Sequence, residues 1–227
     1  MAWQDYINTV QKLYVGALGR PADPTGLRYW ATAIDMGGGT ESAILNAIRG
    51  IIQSAEAARY YNSKDALVMW VYYSAFGVMP DPATVTQWVD YANKNSVEKA
   101  VWEILKINNV AYQITLDNRV ASAMNFTKAL DPELDGVGPF NATYKGDTDA
   151  DKGREFLKNV DISTIKTEAD AITFIQKNIA DPGDPILSVT PPVSGKTIPL
   201  TEKIDVLDGT PYDDVFIGYF DQATSTN

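Results

Sequence analysis

Cysteine and histidine are both absent from this 227-residue chain. Without cysteine there is no disulfide framework, no zinc–thiolate site and no thiol nucleophile. Without histidine the usual general base, the Ser-His-Asp triad and the commonest transition-metal ligand are excluded as well. No uncharged apolar run reaches about 18 residues, so transmembrane insertion is not expected. The opening MAWQDYINTVQKLYVGALGR has no basic region leading into an apolar run, so it does not read as a secretory signal peptide. Basic side chains are the minority, 19 Lys and Arg against 29 Asp and Glu, for a net charge of −10. Such a chain repels phosphate backbones, which argues against nucleic acid as a partner. Carboxylate chemistry, hard-cation sites and binding remain, the last to a neutral polysaccharide or to an anionic one bridged by divalent cations. With 29 acidic residues some carboxylate pair will always be close, but no motif singles one out as a glycosidase pair. An enzyme is therefore not expected.

What is present is ordinary globular composition, 45% hydrophobic and 21% charged, arranged with an internal duplication. Two segments align without gaps at an offset of about 58 residues. Leu13-Tyr14 matches Val71-Tyr72, Leu18-Gly19 matches Phe76-Gly77, Asp23-Pro24 matches Asp81-Pro82, and Trp30 matches Trp88. Each copy predicts an amphipathic helix (roughly Trp3 to Leu18, then Ser63 to Phe76) closed by a glycine suited to the left-handed cap. An Asp-Pro turn follows, with the aspartate as N-cap and the proline at the first helical position. The next helix carries the tryptophan, which is expected to pack in the core. In copy one, Gly37-Gly38-Gly39 forms a loop, Thr40 caps, and Glu41 to Tyr61 reads as one long helix. In copy two, Ser96 caps a helix with Val97, Val101, Ile104 and Leu105 on one face.

A third helical section follows, with a short helix over Ala121 to Leu130, a second from Gly146-Asp147 through Val160, and a last one over Thr167 to Ile179. Asp181-Pro-Gly-Asp-Pro and Thr190-Pro-Pro-Val-Ser-Gly then read as linker, and Ile204 to Tyr219 has strand character. The predicted fold class is all-α, an elongated multi-helix bundle with a duplicated helical unit, followed by a short β-rich tail. The units are residues 1–62 and 63–118, a third helical section at 119–180, a linker at 181–203 and the tail at 204–227.

The stretch LYVGALGRPADPTGLRYW, Leu13 to Trp30, resembles a helical family built on Leu-Tyr…Leu-Gly-Arg-x-x-Asp-x-x-Gly-x-x-Tyr-Trp. That family stands at the N-termini of large RTX-type secreted proteins, including S-layer proteins of Gram-negative bacteria. Copy two is weaker, with Val78 in place of the arginine, Val85 of the glycine and Gln87 of the tyrosine. In the tail, TEKIDVLDGTPYDDVFIG (Thr201 to Gly218) resembles the entry turn of an RTX β-roll, with Asp208, Asp213 and Asp214 at positions that would hold calcium. One turn cannot stand alone, since each coil buries its face on the next, so a truncated start of a roll is expected, with calcium mainly in the part beyond. The resemblance implies export by a type I machine through a C-terminal signal absent here. It also implies an extracellular location in a surface S-layer, with neighbouring S-layer subunits as partners and anchoring to lipopolysaccharide O-antigen polysaccharide. A protein–protein interaction module of a secreted RTX adhesin or toxin is the alternative.

Sugar rings stack their C–H faces on aromatics while their hydroxyls need planar donors. Aromatics and arginines that do not recur between the copies are therefore the carbohydrate candidates: Arg20, Arg28, Tyr29, Arg59, Tyr60, Tyr61, Trp70 and Tyr73. Asp147, Asp149 and Asp151 mimic the start of a calcium loop, but the twelfth position is Lys158 and the glycine is displaced. An acid-rich helix start accounts for them equally well through the macrodipole.

Overall fold

The computed structural model describes residues 2–188 and the short segments 197–199 and 215–217. The chain divides into two compact units, Met1–Leu187 and Ser188–Asn227. In the second, two three-residue strands, Thr197–Pro199 and Val215–Ile217, pair in parallel with Thr197 opposite Val215. Asp208, Asp213 and Asp214 lie outside the described residues.

Among the described residues the first unit is all helical. A 3₁₀ turn at Trp3–Tyr6 leads into α1 (Ile7–Leu18), then α2 (Pro24–Met36) and α3 (Glu41–Ile52). A second set follows: α4 (Lys64–Phe76), α5 (Pro82–Lys94) and α6 (Val97–Ile104). The third section is α7 (Val110–Leu130), α8 (Gly146–Leu157) and α9 (Glu168–Asn178). Within each of the first two sets every helix packs on the other two; α1 packs on α4 and α3 on α6.

Local chemistry sets the ends. Gly19 and Gly77 close α1 and α4 at φ +68° and +74°, a left-handed conformation that costs an L side chain about 1–2 kcal/mol. The Asp23 carboxylate accepts from the Gly26 N–H at 2.7 Å, and Asp81 accepts from Thr84 at 2.8 Å. Each proline sits in the first turn, where its missing N–H has no cost. Opposite Gly26 in this register stands Thr84, so Val85 corresponds to Leu27 and not to the glycine. Thr40, Ser63, Ser96 and Thr167 cap α3, α4, α6 and α9 through their hydroxyls. The tryptophans behave alike. Trp88 donates to the Tyr72 hydroxyl at 2.8 Å, Trp30 is the hydrogen-bonding neighbour of the Tyr14 hydroxyl, and both indoles pack against the core. Trp30 lies flat against α3 at Gly50, where any β-carbon would collide with its ring.

Three helix boundaries differ from the sequence reading. The long helix over Glu41 to Tyr61 ends at Ile52, because the Ser54 hydroxyl takes the Ala57 N–H at 3.1 Å and starts a 3₁₀ turn at Ala57–Arg59. Serine offers the backbone an alternative partner there. The short helix at Ala121 to Leu130 is instead the C-terminal half of α7, whose start is capped by Asn109 on the Tyr112 N–H. Its inward face includes Thr115, Arg119, Ser122 and Thr127, which conceal the hydrophobic period. The helix expected through Val160 ends at Leu157.

The third section packs on both copies, α7 lying against α1 and α4, and a buried polar network joins it to copy one. The Gln11 side chain, wholly buried, donates to Thr127 Oγ1 at 2.6 Å and accepts from the Ala22 N–H at 3.0 Å. Thr127 Oγ1 in turn donates to the Ala22 carbonyl at 2.7 Å. A fully satisfied buried network of this kind fixes one docking geometry. Phe126 of α7, Phe156 of α8 and Phe174 of α9 meet at centroid distances of 5.2–6.4 Å and close the core beneath.

Candidate functional site

The sequence-derived candidates separate into three places. Arg20 and Tyr61 are structural. Arg20 is 5% exposed, and its guanidinium forks onto Glu56 at 2.7 and 2.8 Å while Nη1 donates to the Pro21 carbonyl at 2.9 Å. Arg154 also donates to Glu56, so one carboxylate ties the loop after α1 to α8. Burial by itself would raise the Glu56 carboxyl, but the hydrogen bond and charge of Arg20, joined by Arg154, hold it below the ordinary carboxylate range. Tyr61 donates to the Ala17 carbonyl at 3.2 Å, and burial pushes its hydroxyl up.

Arg28 and Tyr29 sit on α2. Arg28 lies over the Trp3 ring at 3.8 Å, and Tyr29, 63% exposed, stands edge-on to Trp30. They do not join the other candidates.

Arg59, Tyr60, Trp70 and Tyr73 gather where α4 faces α8. Tyr60 donates to Asp151 at 2.6 Å, and Arg59 pairs with Asp151 at 3.0 Å and Asp147 at 3.1 Å. The hydrogen bond from Tyr60, then that from Arg59, hold the Asp151 carboxyl low. Asp149 turns the other way, buried and accepting from the Lys145 N–H. The three aspartates of the calcium-like run therefore diverge into ion pairs and a helix-start contact, and no cluster of acidic groups fit to hold a metal occurs among the described residues.

Beside this clasp is a cleft of about 280 Å³ lined by Gly19, Trp70, Tyr73, Ser74, Arg119, Arg154, Glu155, Leu157 and Lys158. Helical spacing puts Trp70, Tyr73 and Ser74 on one face of α4. Trp70 is pinned by its N–H to the Ala17 carbonyl at 2.9 Å and by tilted contact with Tyr60 at 4.5 Å. Tyr73 is 44% exposed. Arg119 crosses from α7 and caps helix ends, donating to the carbonyls of Tyr73 at 2.8 Å, Ser74, and Val160 at 2.9 Å. The Ser74 hydroxyl is buried without a hydrogen-bond partner. Sequence reasoning reached Trp70 and Tyr73 but missed Ser74, Arg119, Arg154 and Lys158, which carry no motif and come from three helices far apart in the chain.

Residues 3–61 match the family model described as "Domain of unknown function (DUF4214)", so the chain contains an all-α DUF4214 domain spanning copy one. No curated protein and no solved structure matches the chain. No helix among the described residues is long and apolar enough to cross a membrane.

Proposed function

We propose that the helical body is a non-catalytic saccharide-binding module that anchors an extracellular RTX-type S-layer protein to the O-polysaccharide of lipopolysaccharide. The observation that carries the reading is the cleft between α4 and α8. Trp70, pinned by its N–H, and the exposed Tyr73 line it together with a buried, unpartnered hydroxyl on Ser74. Its volume of about 280 Å³ lies near the lower end of small-molecule sites, about 300–1,000 Å³, suiting one residue of a longer glycan. Aromatic faces with a few fixed polar groups are the chemistry a sugar ring needs. The resemblance of Leu13–Trp30 and of the tail to secreted surface proteins supports the cellular setting.

The test is capture of smooth lipopolysaccharide against material lacking the O-chain. Smooth material is retained, O-chain-deficient material is not, and Tyr73→Ala weakens retention about tenfold while leaving the thermal midpoint unchanged. Equal capture of both materials overturns the proposal. A second reading, protein–protein contact in an adhesin or toxin, draws on exposed apolar side chains, Val78, Met79, Val110, Ile114 and Ile162, at 37–75% exposure. Retention of partner protein with no glycan binding would favour it.

A further inference from the structure

The charge around the cleft is opposite to that of the chain. Against a net charge of −10, the lining holds Arg119, Arg154 and Lys158 and a single acid, Glu155. Two of these four charges are already matched. Arg154 is taken by Asp151, Glu56 and the Leu18 carbonyl, and Glu155 by Lys152 at 2.9 Å.

The other two make no ion pair among the described residues; the opposite charges that act on them, Asp161 for Arg119 and Glu155 for Lys158, do so without direct contact. Arg119 is 7% exposed, yet its hydrogen bonds go to backbone carbonyls alone and it makes no ion pair among the described residues. Those bonds use Nε and Nη1; Nη2 makes none among the described residues. Helix-end carbonyls carry only partial negative charge, and no carboxylate among the described residues touches this cation; burial lowers its pKa, and the charge of Asp161 offsets that only in part. Lys158, at the end of α8, is exposed and likewise makes no ion pair among the described residues. The Ser74 hydroxyl, 5% exposed, lines the same cleft with no partner. A buried polar group left unsatisfied costs stability unless something completes it.

We propose that this cleft takes an acidic sugar residue, a pyranose bearing a carboxylate, with the ring on Trp70 and Tyr73 and the carboxylate met by Arg119, Lys158 and the Ser74 hydroxyl. A carboxylate supplies a counter-charge in direct contact and accepts several hydrogen bonds at once. A neutral hexose leaves both cations as they are. The inference rests on the saccharide reading and sharpens it to a ligand class.

The experiment titrates the full chain with methyl glucuronide and methyl galacturonide, with the matching neutral glucoside and galactoside, and with inorganic phosphate alone, following ligand saturation-transfer signals and the part of the tryptophan fluorescence change that is lost in Trp70→Phe. The uronides are expected to bind at least tenfold more tightly than their neutral counterparts and to weaken with added salt. Lys158→Ala should weaken the uronides about fivefold, as expected for one exposed charge pair, and leave neutral glycosides unchanged. Ser74→Ala, which removes one hydroxyl and retains the helix, should weaken uronides as well, with circular dichroism confirming the fold.

Equal affinity for acidic and neutral glycosides overturns the inference and leaves the saccharide reading standing. Phosphate binding as tightly as the uronides reduces the cleft to a bare anion site, which also overturns it. No glycoside binding with smooth lipopolysaccharide still captured places anchoring on another surface and overturns it too. Loss of both defeats the inference together with the reading beneath it.

Discussion

Replacing Glu56 by alanine tests the reasoning about how the helical body is held together. Glu56 is the shared counter-ion of Arg20 and Arg154, whose side chains are 7% and 12% exposed, and is itself 15% exposed. Removing it leaves two nearly buried guanidiniums facing each other's field across the junction of the α1 loop and α8. Breaking such a pair from one side costs at most about 3–5 kcal/mol, an upper bound here because Asp23 stays with Arg20 and Asp151 with Arg154. For a body of this size that corresponds to a fall in thermal midpoint of at most roughly 6–20 °C. Denaturant unfolding followed by circular dichroism gives the free energy directly. The double variant Arg20→Met/Glu56→Met removes one cation with the anion and should recover at least half of the loss, since apolar replacement of a buried pair is often near neutral. A cost below about 1 kcal/mol for Glu56→Ala, or a double variant no better than the single, would refute the assignment.

The same pair has a pH signature. The Glu56 carboxyl lies below its ordinary value in the folded chain. The unfolded chain therefore binds that proton more readily, and stability from this group is fully present above the unfolded pKa. It drains away as pH falls below the ordinary value of 4.5 and through the lower folded one. Wild-type stability should thus decline more steeply below about pH 4.5 than that of Glu56→Ala, and the two curves should converge toward acid. Parallel curves across that window would remove Glu56 from the account.

Two further tests follow from local geometry. Gly77→Ala and Gly19→Ala should each cost at least about 1–2 kcal/mol for a left-handed backbone, because the added β-carbon would also lie 3.0 Å from Arg119 Nη2 at Gly77 and 3.1 Å from the Trp70 ring at Gly19; chemical denaturation showing either variant as stable as the parent would contradict the packing described. Asp147→Asn/Asp151→Asn should leave calcium uptake by the chain unchanged in isothermal titration, since both carboxylates pair with Arg59, and a site lost in the variant would count against that arrangement.

The sequence made helix ends legible where the signal is local. A glycine that must turn left-handed, an Asp-Pro start and a serine or threonine three residues before an acceptor-seeking N–H are each complete within four residues, and all were readable. The α3 end was not, because the bond from the Ala57 N–H to the Ser54 hydroxyl that replaces the next helical turn leaves no mark in the sequence period. The start of α7 was hidden for a different reason. That helix buries Arg119, Ser122 and Thr127 against the backbone of loops between other helices, and a period defined by apolar residues cannot register polar ones in the core. The cleft needs Gly19, Trp70, Arg119 and Lys158 together, from four helices or their ends. Aromatic type gave two of its residues, and no spacing rule could have given the rest.

The duplicated units also show why one sequence copy carries the recognisable pattern and the other does not. At the common offset, Gln11, Arg20 and Gly26 of copy one correspond to Met69, Val78 and Thr84 of copy two. In copy one these residues act on the third section and on one another. Gln11 locks Thr127, Arg20 meets Glu56 and Arg154, and Gly26 leaves room for the Tyr14 hydroxyl and the Asp23 cap. On copy two the third section docks elsewhere, with α7 on α4 through Arg119 and the stack of Tyr112 on Phe76, and Val78 and Met79 stay 37% and 63% exposed. Methionine cannot accept the backbone N–H that Gln11 accepts, and valine cannot fork onto a carboxylate. The arginine and glycine that distinguish copy one, and the family match confined to residues 3–61, therefore fall where the body needs a polar lock. Copy two needs only the cap, the turn and the tryptophan to keep its three helices together, and those are the features it retains.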